Sequence, residues 1–241
     1  MCTVTIIPVG KDDFVLTSNR DEAPNRISLN PKIYNESNAS LLYPKDQAAG
    51  GTWVGVSSQN RVVCLLNGAF EKHTRLEQYR HSRGVVVKDI LLASSIDHAL
   101  ESYNLQDVEP FTLVIVDWNK SLRFFELVWD GSTKHITELP IAPKIWSSST
   151  LYSSDMRLER LNWFNAYKAH NTLDDVSVLN FHKTAGKPNL NYGTVMDRGH
   201  VKTTSITQIS KTSDTINMRF ESLVDGAVTN DVFKIAQVIN E

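Results

Sequence analysis

Strand-like segments dominate this sequence, and they follow one another as hairpins with only two helical blocks between them. Residues 3–9 are rich in β-branched side chains, and turn residues at 10–13 lead into a second apolar run at 14–17. The helical blocks begin after Arg83 and after Asp155. Because strands and helices do not alternate, a doubly wound parallel sheet is disfavoured. The order predicts an α+β fold with two stacked antiparallel sheets and helices on both outer faces.

The other segments extend this pattern along one domain, residues 1–241, with no linker. Residues 22–49 contain three prolines and several asparagines, which predicts a long irregular loop. Residues 230–241 are weakly patterned and are predicted as a helix or a tail. Further strands are predicted at residues 53–56, 62–66, 111–116, 122–128, 134–139, 202–209 and 215–223, and helices at residues 85–103, 155–170 and 173–181.

Charge and cysteine content exclude several partner classes. With 25 basic and 27 acidic residues the net charge is −2, so no overall field favours nucleic acid or an anionic membrane surface. No apolar run reaches the length of about 18 residues that suits a membrane span, and no signal peptide is recognisable, so the cytoplasm is the expected location. Two cysteines and seven scattered histidines predict neither a disulfide nor a bound metal or cofactor.

The beginning of the chain carries a candidate nucleophile, Cys2. If Met1 is removed, which the small Cys2 side chain permits, the thiol and a free α-amino group share one residue. Such an amine titrates near pKa ~7.7–8.0 and a thiol near ~8.5, so the amine, directly or through one water, is matched to take the thiol proton. Position alone favours a plainer role for Cys2, as a small buried residue at the start of an edge strand. The features that follow reverse that preference.

Two hairpins bring polar residues toward this end of the chain. Antiparallel pairing across the first turn carries Asn19, Arg20 and Asp21 back to the start of the first strand. Arg20 and Asp21 are alternatively a structural ion pair, which contributes only about 0–1 kcal/mol when exposed. The second hairpin ends in Asn67, followed by a glycine. Asn67 fits either a turn or a side-chain amide that donates to an oxyanion.

Four motifs together resemble the NRDE family, which includes the transport-and-Golgi-organisation proteins. They are Met-Cys-Thr at the start, Asn-Arg-Asp-Glu at 19–22, Gly-Gly-Thr-Trp at 50–53 and Cys-Leu-Leu-Asn-Gly at 64–68. More remotely, the same positions are similar to N-terminal-nucleophile hydrolases of the penicillin V acylase and bile salt hydrolase group. That similarity implies a four-layer αββα sandwich, in agreement with the order of elements.

The hydrolase resemblance also implies roles for individual residues. In that group an N-terminal cysteine attacks an amide carbonyl, a nearby aspartate holds its free amine, and an asparagine lines the oxyanion hole. Matched position by position, these become Cys2 as the nucleophile, Asp21 as the carboxylate that holds the amine, and Asn67 as the oxyanion donor.

The chain departs from the hydrolase pattern at two positions. Ser18 stands where the hydrolases have an arginine, and Arg20 is expected to supply a guanidinium from a neighbouring position, where it orients Asp21 or binds a substrate carboxylate. Ser148 stands where they have a second asparagine. Asn19 and Ser148 are expected to contact the substrate.

Two functions compete on this sequence. The first is a cysteine amidase that cleaves a non-peptide C–N bond of a small molecule. The alternative is a non-enzymatic binding or trafficking protein, because the transport-and-Golgi-organisation relatives are associated with Golgi organisation and with haem or lipid handling. In that case Cys2 is a structural residue or an axial haem ligand.

Overall fold

A computed structural model of the protein describes residues 3–36 and 38–234. These residues form thirteen strands and four helices. In chain order they are β1 (Thr3–Val9), β2 (Asp13–Glu22), β3 (Ser28–Glu36), β4 (Ala39–Asp46), β5 (Val54–Ser57), β6 (Arg61–Asn67), α1 (Arg83–Leu92), α2 (Ile96–Ser102), β7 (Phe111–Asp117), β8 (Arg123–Trp129), β9 (Lys134–Leu139), β10 (Lys144–Ser147), α3 (Ser154–His170), α4 (Asp175–Thr184), β11 (Lys202–Thr212), β12 (Thr215–Ser222) and β13 (Val228–Lys234).

The strands form two antiparallel sheets that stack face to face. The first sheet has the order β10-β1-β2-β11-β12-β13, and the second has the order β3-β4-β5-β6-β7-β8-β9. Helices α3 and α4 contact strands of the first sheet, whereas α1 contacts β5 and β6 of the second sheet and α2 packs on α1. The predicted α+β sandwich of four layers is thereby confirmed. Within the described residues, no helix is both long enough and apolar enough to cross a membrane.

The middle strands of the second sheet are covered on both faces. Strands β5, β6 and β7 are almost entirely buried, because one face meets the first sheet and the other meets the helices. This explains their continuous apolar runs, which do not alternate with polar residues. Cys64 lies in the middle of β6 and is fully buried, and this burial raises the pKa of its thiol to about 12. Cys64 is therefore protonated and inaccessible at neutral pH.

The prediction of an irregular loop at residues 22–49 is wrong, because most of that segment forms the hairpin β3–β4. Pro31 lies in β3, an edge strand, and Pro44 lies in β4 between the paired residues Tyr43 and Lys45, where it has no partner in the β3–β4 ladder. Pro31 falls at a shift of register between Leu29 and Lys32. The Tyr34 and Tyr43 rings stack across the hairpin with centroids 4.3 Å apart.

Two further strands differ from the sequence-based prediction. Val228–Lys234 forms β13, the outer strand of the first sheet, where a helix or a tail was predicted. Alternation of exposed and partly buried residues at an edge gives a weak apolar signal, which explains the error. The rest of that segment, residues 235–241, lies outside the described residues. Strand β10 has four residues and pairs with β1, although no element was predicted there. The remaining strands and helices match their predicted positions within a few residues.

A buried ion pair joins α1 to the second sheet. Arg61 at the start of β6 is fully buried, and its Nε and Nη2 atoms donate to Asp117 Oδ2 at 3.0 and 2.8 Å. The Arg61 Nη1 atom donates to the carbonyls of Ile90 and Ala93 at 2.8 and 2.6 Å. These carbonyls lie at the end of α1, where the helix leaves acceptors without intrahelical donors.

Candidate functional site

Asp21 lies near the end of β2 with its carboxylate buried between two hydroxyl groups. Its Oδ1 atom accepts a hydrogen bond from Thr203 Oγ1 at 2.6 Å, and its Oδ2 atom accepts one from Tyr152 Oη at 2.5 Å. Thr203 is the cross-strand partner of Asp21 on β11, so both side chains emerge on the same face of the first sheet. That face is the outer one, which α3 and α4 cover.

Arg20, the preceding residue, points to the opposite face of β2, toward the second sheet. Its Nη2 atom donates to Asp46 Oδ2 at 2.6 Å and lies 3.7 Å from Glu22 Oε2, and its guanidinium stacks on the Trp53 ring with a 4.4 Å separation. Burial lowers the pKa of Arg20, which the carboxylates of Glu22 and Asp46 partly oppose. The structure thus corrects the expectation that Arg20 orients Asp21, because its anionic partners are Asp46 and, at a longer distance, Glu22.

A cavity of about 490 Å³ opens between the end of β6, the end of β2 and residues 75–84. Arg20 and Asn67 both line it, as predicted site residues. Charged side chains make up much of the remaining wall: Glu22, Arg26, Asp46, Arg75, Glu77, Arg83 and Glu109. The cavity is therefore strongly polar.

Asn67 lines this cavity, and its backbone carbonyl is held by a hydrogen bond. The side-chain amide makes no hydrogen bond to any residue in the described ranges, whereas the Asn67 carbonyl accepts one from Ser148 Oγ at 2.6 Å. The next residue, Gly68, has φ +84°, and a Cβ there would lie 2.4 Å from Ser149 Oγ. Only glycine fits this close approach, which holds the end of β6 against residues 148–150.

Ser148 does not line the large cavity, although it was expected to contact the substrate. It is buried beside a separate cavity of about 150 Å³, and its hydroxyl binds the Asn67 carbonyl. The structure therefore assigns Ser148 to holding Asn67 in place.

The expectation that Asn19 contacts the substrate is also wrong, because Asn19 is fully buried on the outer face of the first sheet. Its Nδ2 atom donates to the carbonyls of His182 and Thr194 at 3.0 and 2.6 Å, and its Oδ1 atom lies 2.6 Å from His182 Nδ1. Burial, assisted by the nearby Arg160 charge, lowers the pKa of His182 to about 3, so the imidazole is neutral. This cluster is structural and does not reach the cavity.

Cys2 lies outside the described residues, and the chain is described from Thr3. Thr3 pairs with Asn19, two residues before Asp21 on β2. Its hydroxyl accepts a hydrogen bond at 2.5 Å from Arg160 Nη1, a fully buried guanidinium on α3. The register of the first hairpin thus agrees with the sequence-based prediction that Asp21 lies beside the start of the chain.

Three residues near Asp21 were missed by sequence reasoning: Tyr152, Arg160 and Thr203. Tyr152 and Thr203 lie 131 and 182 positions from Asp21. No short motif marks them. Within residues 3–36 and 38–234, no group of three His, Cys, Asp or Glu side chains is placed to hold a metal ion.

The sequence profile described as Transport and Golgi organisation 2 matches residues 1–218. No curated protein sequence matches the chain.

Three solved structures share the fold. The Caenorhabditis elegans N-acylethanolamine-hydrolyzing acid amidase ortholog has TM-score 0.60 and 10% identity, covering 86% of this chain and 92% of its own. A variant of conjugated bile acid hydrolase from Clostridium perfringens has TM-score 0.58 and 10% identity, covering 99% of both chains. Penicillin V acylase from Agrobacterium tumefaciens has TM-score 0.61 and 12% identity, covering 95% of this chain and 85% of its own. Identities this low show a common fold and leave the chemistry to the site itself.

Proposed function

The chain belongs to the Transport and Golgi organisation 2 family, and on that premise we propose that it is a cysteine N-terminal-nucleophile hydrolase that cleaves the C–N bond of small polar amides. The observation that carries the proposal is the Asp21 carboxylate, buried under two hydroxyl donors on the strand that pairs with Thr3, the residue after Cys2. In the proposed reaction this carboxylate holds the α-amine of Cys2.

The two faces of β2 suit the two functions of an N-terminal cysteine. Asp21 lies on the outer face of the first sheet, whereas Arg20 on the opposite face of β2 and Asn67 at the end of β6 line the cavity. The α-amine and the side chain of a first residue diverge from one Cα, so one group can meet Asp21 while the other faces a substrate.

In the proposed reaction, Cys2 attacks the amide carbonyl after its amine has taken the thiol proton. Asp21 holds the resulting ammonium group, and the Asn67 amide donates to the oxyanion of the tetrahedral intermediate. The ammonium group then protonates the leaving nitrogen. Water hydrolyses the thioester, with the amine as the base, and releases the acid.

The Asp46 carboxylate, which lines the cavity, is already hydrogen-bonded to protein donors. Asp46 accepts bonds from Arg20 and Arg26 and from the backbone amides of residues 48–49. A guanidinium offers five N–H donors, more than these contacts use. The lining therefore has spare donors, and Glu77 is the one lining carboxylate with no ion pair among the described residues.

Around Glu109, another carboxylate of the cavity wall, hydrogen-bond donors again outnumber acceptors. Glu109 lies 3.2 Å from Arg83, 3.4 Å from His73 and 3.9 Å from Arg75, so three positive or potentially positive groups share one carboxylate. Arg75 is 78% exposed and lines the cavity. A substrate with a carboxylate or several carbonyl oxygens would satisfy these donors, which is why we propose an acceptor-rich amide.

The alternative function, binding and trafficking of haem or lipid, is supported by the family match alone. Apolar ligands require a mostly apolar wall, because charged side chains lose hydration when such a ligand covers them. The charged lining of this cavity does not fit a porphyrin or an acyl chain. A haem titration should accordingly show no spectral change that depends on Cys2.

The nucleophile is tested by covalent labelling. The native protein should be modified once by a thiol-reactive acyl probe, and Cys2→Ala should abolish this modification while leaving the melting temperature unchanged. Cys64→Ala is the matched control and should leave labelling intact, because the Cys64 thiol is fully buried. Intact-mass spectrometry reports both the label and the loss of Met1.

Two outcomes would count against the hydrolase. Retention of Met1 would remove the free amine of Cys2 and the proposed base with it. Equal labelling of the native protein and Cys2→Ala would place the reactive group elsewhere.

The substrate class is tested with two 4-nitroanilides that share a leaving group, one succinylated and one octanoylated. The succinyl compound should have a kcat/KM higher by about tenfold or more, the size expected for one hydrogen bond to a charged group. Arg75→Gln should reduce this preference. Arg80→Gln is the matched control, since Arg80 is on the same segment but does not line the cavity. Faster hydrolysis of the octanoyl compound would contradict an acceptor-rich substrate.

A further inference from the structure

Tyr152 lies in the turn between β10 and α3 and is fully buried. Its hydroxyl donates to Asp21 Oδ2 at 2.5 Å. A hydroxyl that donates to a carboxylate makes a stronger contact than one between neutral groups. The opposite oxygen of the same carboxylate is bound by Thr203 at 2.6 Å. One hydroxyl on each oxygen fixes the rotation of the carboxylate.

The Tyr152 ring is itself held between two guanidinium groups. Arg160 lies 3.6 Å from the ring centroid and Arg198 lies 5.3 Å from it. Arg160 donates to the carbonyls of residues 192 and 193, and Arg198 donates to those of residues 151 and 191. Carbonyls are neutral, so these contacts anchor both cations without cancelling their charge.

The two guanidinium groups also change the hydrogen-bonding strength of the Tyr152 hydroxyl. Two cations against the ring draw electron density from it, which strengthens the phenolic O–H as a donor. The nearby His182 is neutral and does not offset them. Tyr152 therefore transmits the effect of Arg160 and Arg198 to one oxygen of Asp21.

We infer that Tyr152 is a positioning residue of the proposed hydrolase, which orients the Asp21 carboxylate toward the α-amine of Cys2. The inference rests on the proposed function, because the amine of Cys2 is the group that Asp21 would hold. Tyr152 is not among the residues that line the cavity, and its hydroxyl reaches the proposed site through Asp21.

A double-mutant cycle tests this role. The rate of Cys2 alkylation by iodoacetamide is measured by intact mass from pH 5 to pH 9 in the native protein, Tyr152→Phe, Asp21→Asn and the double variant. Tyr152→Phe keeps the ring between the arginines and removes only the hydroxyl. It should slow alkylation about tenfold, the effect of one hydrogen bond to a charged group. Asp21→Asn should slow it more.

The coupling between the two changes decides the question. If Tyr152 acts through Asp21, the double variant should be no slower than Asp21→Asn alone, and both single variants should move the midpoint of the pH profile in the same direction. A further tenfold loss in the double variant would overturn the inference.

Two comparisons separate the possible failures. Tyr167→Phe is the matched control on α3, where the Tyr167 hydroxyl donates to the Ser177 carbonyl at 2.8 Å, and it should leave the rate and the pH profile unchanged. Native Cys2 that reacts no faster than cysteine in an unstructured peptide would refute the proposed function. Fast native Cys2 with an unaffected Tyr152→Phe would refute the positioning role alone. Melting temperatures of all variants identify any that fail to fold.

Discussion

Replacing Arg61 with methionine is expected to lower the free energy of unfolding by about 3–5 kcal/mol, the cost of leaving a buried charge without its partner. Arg61 and Asp117 are both buried, so Asp117 would lose its two close donors with no water to replace them. The Ala93 carbonyl at the end of α1 would lose its Arg61 donor as well, and the Ile90 carbonyl would keep only the longer bond from the Ala93 N–H. Urea denaturation followed by circular dichroism measures the change.

Arg123→Met is the matched control for this experiment. Arg123 also lies at a strand end of the second sheet and bridges two carboxylates, Asp97 and Glu138, but those partners are exposed. Exposed pairs are typically worth less than about 1 kcal/mol, so Arg123→Met should be nearly neutral. Combining Arg61→Met with Asp117→Leu should recover part of the loss, because both buried charges are then gone. Equal effects of Arg61→Met and Arg123→Met would show that the buried pair is not structurally important.

Asn67→Ala is expected to lower kcat for the proposed amide hydrolysis by about 10²–10³-fold, which is the loss measured for a single oxyanion donor in other enzymes. Asn67 lines the cavity at the end of β6, and its side-chain amide has no hydrogen-bond partner among residues 3–36 and 38–234. Substrate binding should change little, because the donor meets an oxyanion that exists only in the tetrahedral intermediate and its transition states. Steady-state kinetics on the succinyl anilide separate kcat from KM.

Ser148→Ala supplies the comparison for Asn67→Ala. It keeps the Asn67 amide but removes the hydroxyl bonded to the Asn67 carbonyl. We expect a loss of about tenfold in kcat, since one neutral hydrogen bond that positions the donor is weaker than the donor itself. A loss in Ser148→Ala as large as that in Asn67→Ala would indicate that the free amide is not the oxyanion donor.

Local features of the fold were predictable from the sequence, and distant contacts were not. The first hairpin places Asp21 near Thr3 because β-branched runs and a turn fix that register within twenty residues. Tyr152 and Thr203 reach Asp21 only because β11 pairs with β2 and because β10 leads into the turn before α3. Such pairings depend on the packing of whole sheets, which no short pattern encodes.

The roles expected for Arg20, Asn19 and Ser148 failed for a related reason. Alternation along β2 puts Arg20 and Asp21 on opposite faces, but the partner of each face depends on what stacks there. Asp46, the anionic partner of Arg20, comes from β4, a strand hidden in a proline-rich segment that reads as a loop. The side chains of Asn19 and Ser148 donate hydrogen bonds to backbone carbonyls that are far away in the sequence, so these contacts cannot be predicted from a local pattern.

The position of β11 between β2 and β12 has a consequence for the timing of synthesis. The first hairpin leaves the ribosome early, but its inner strand pairs with a strand near the other end of the chain, where Leu16 meets Ile209 and Asp21 meets Thr203. Such long-range pairing forms late, because a large loop must close first. A nascent chain therefore carries Asp21 without its Thr203 donor, and the contacts proposed to activate Cys2 form only after β11 has been synthesised.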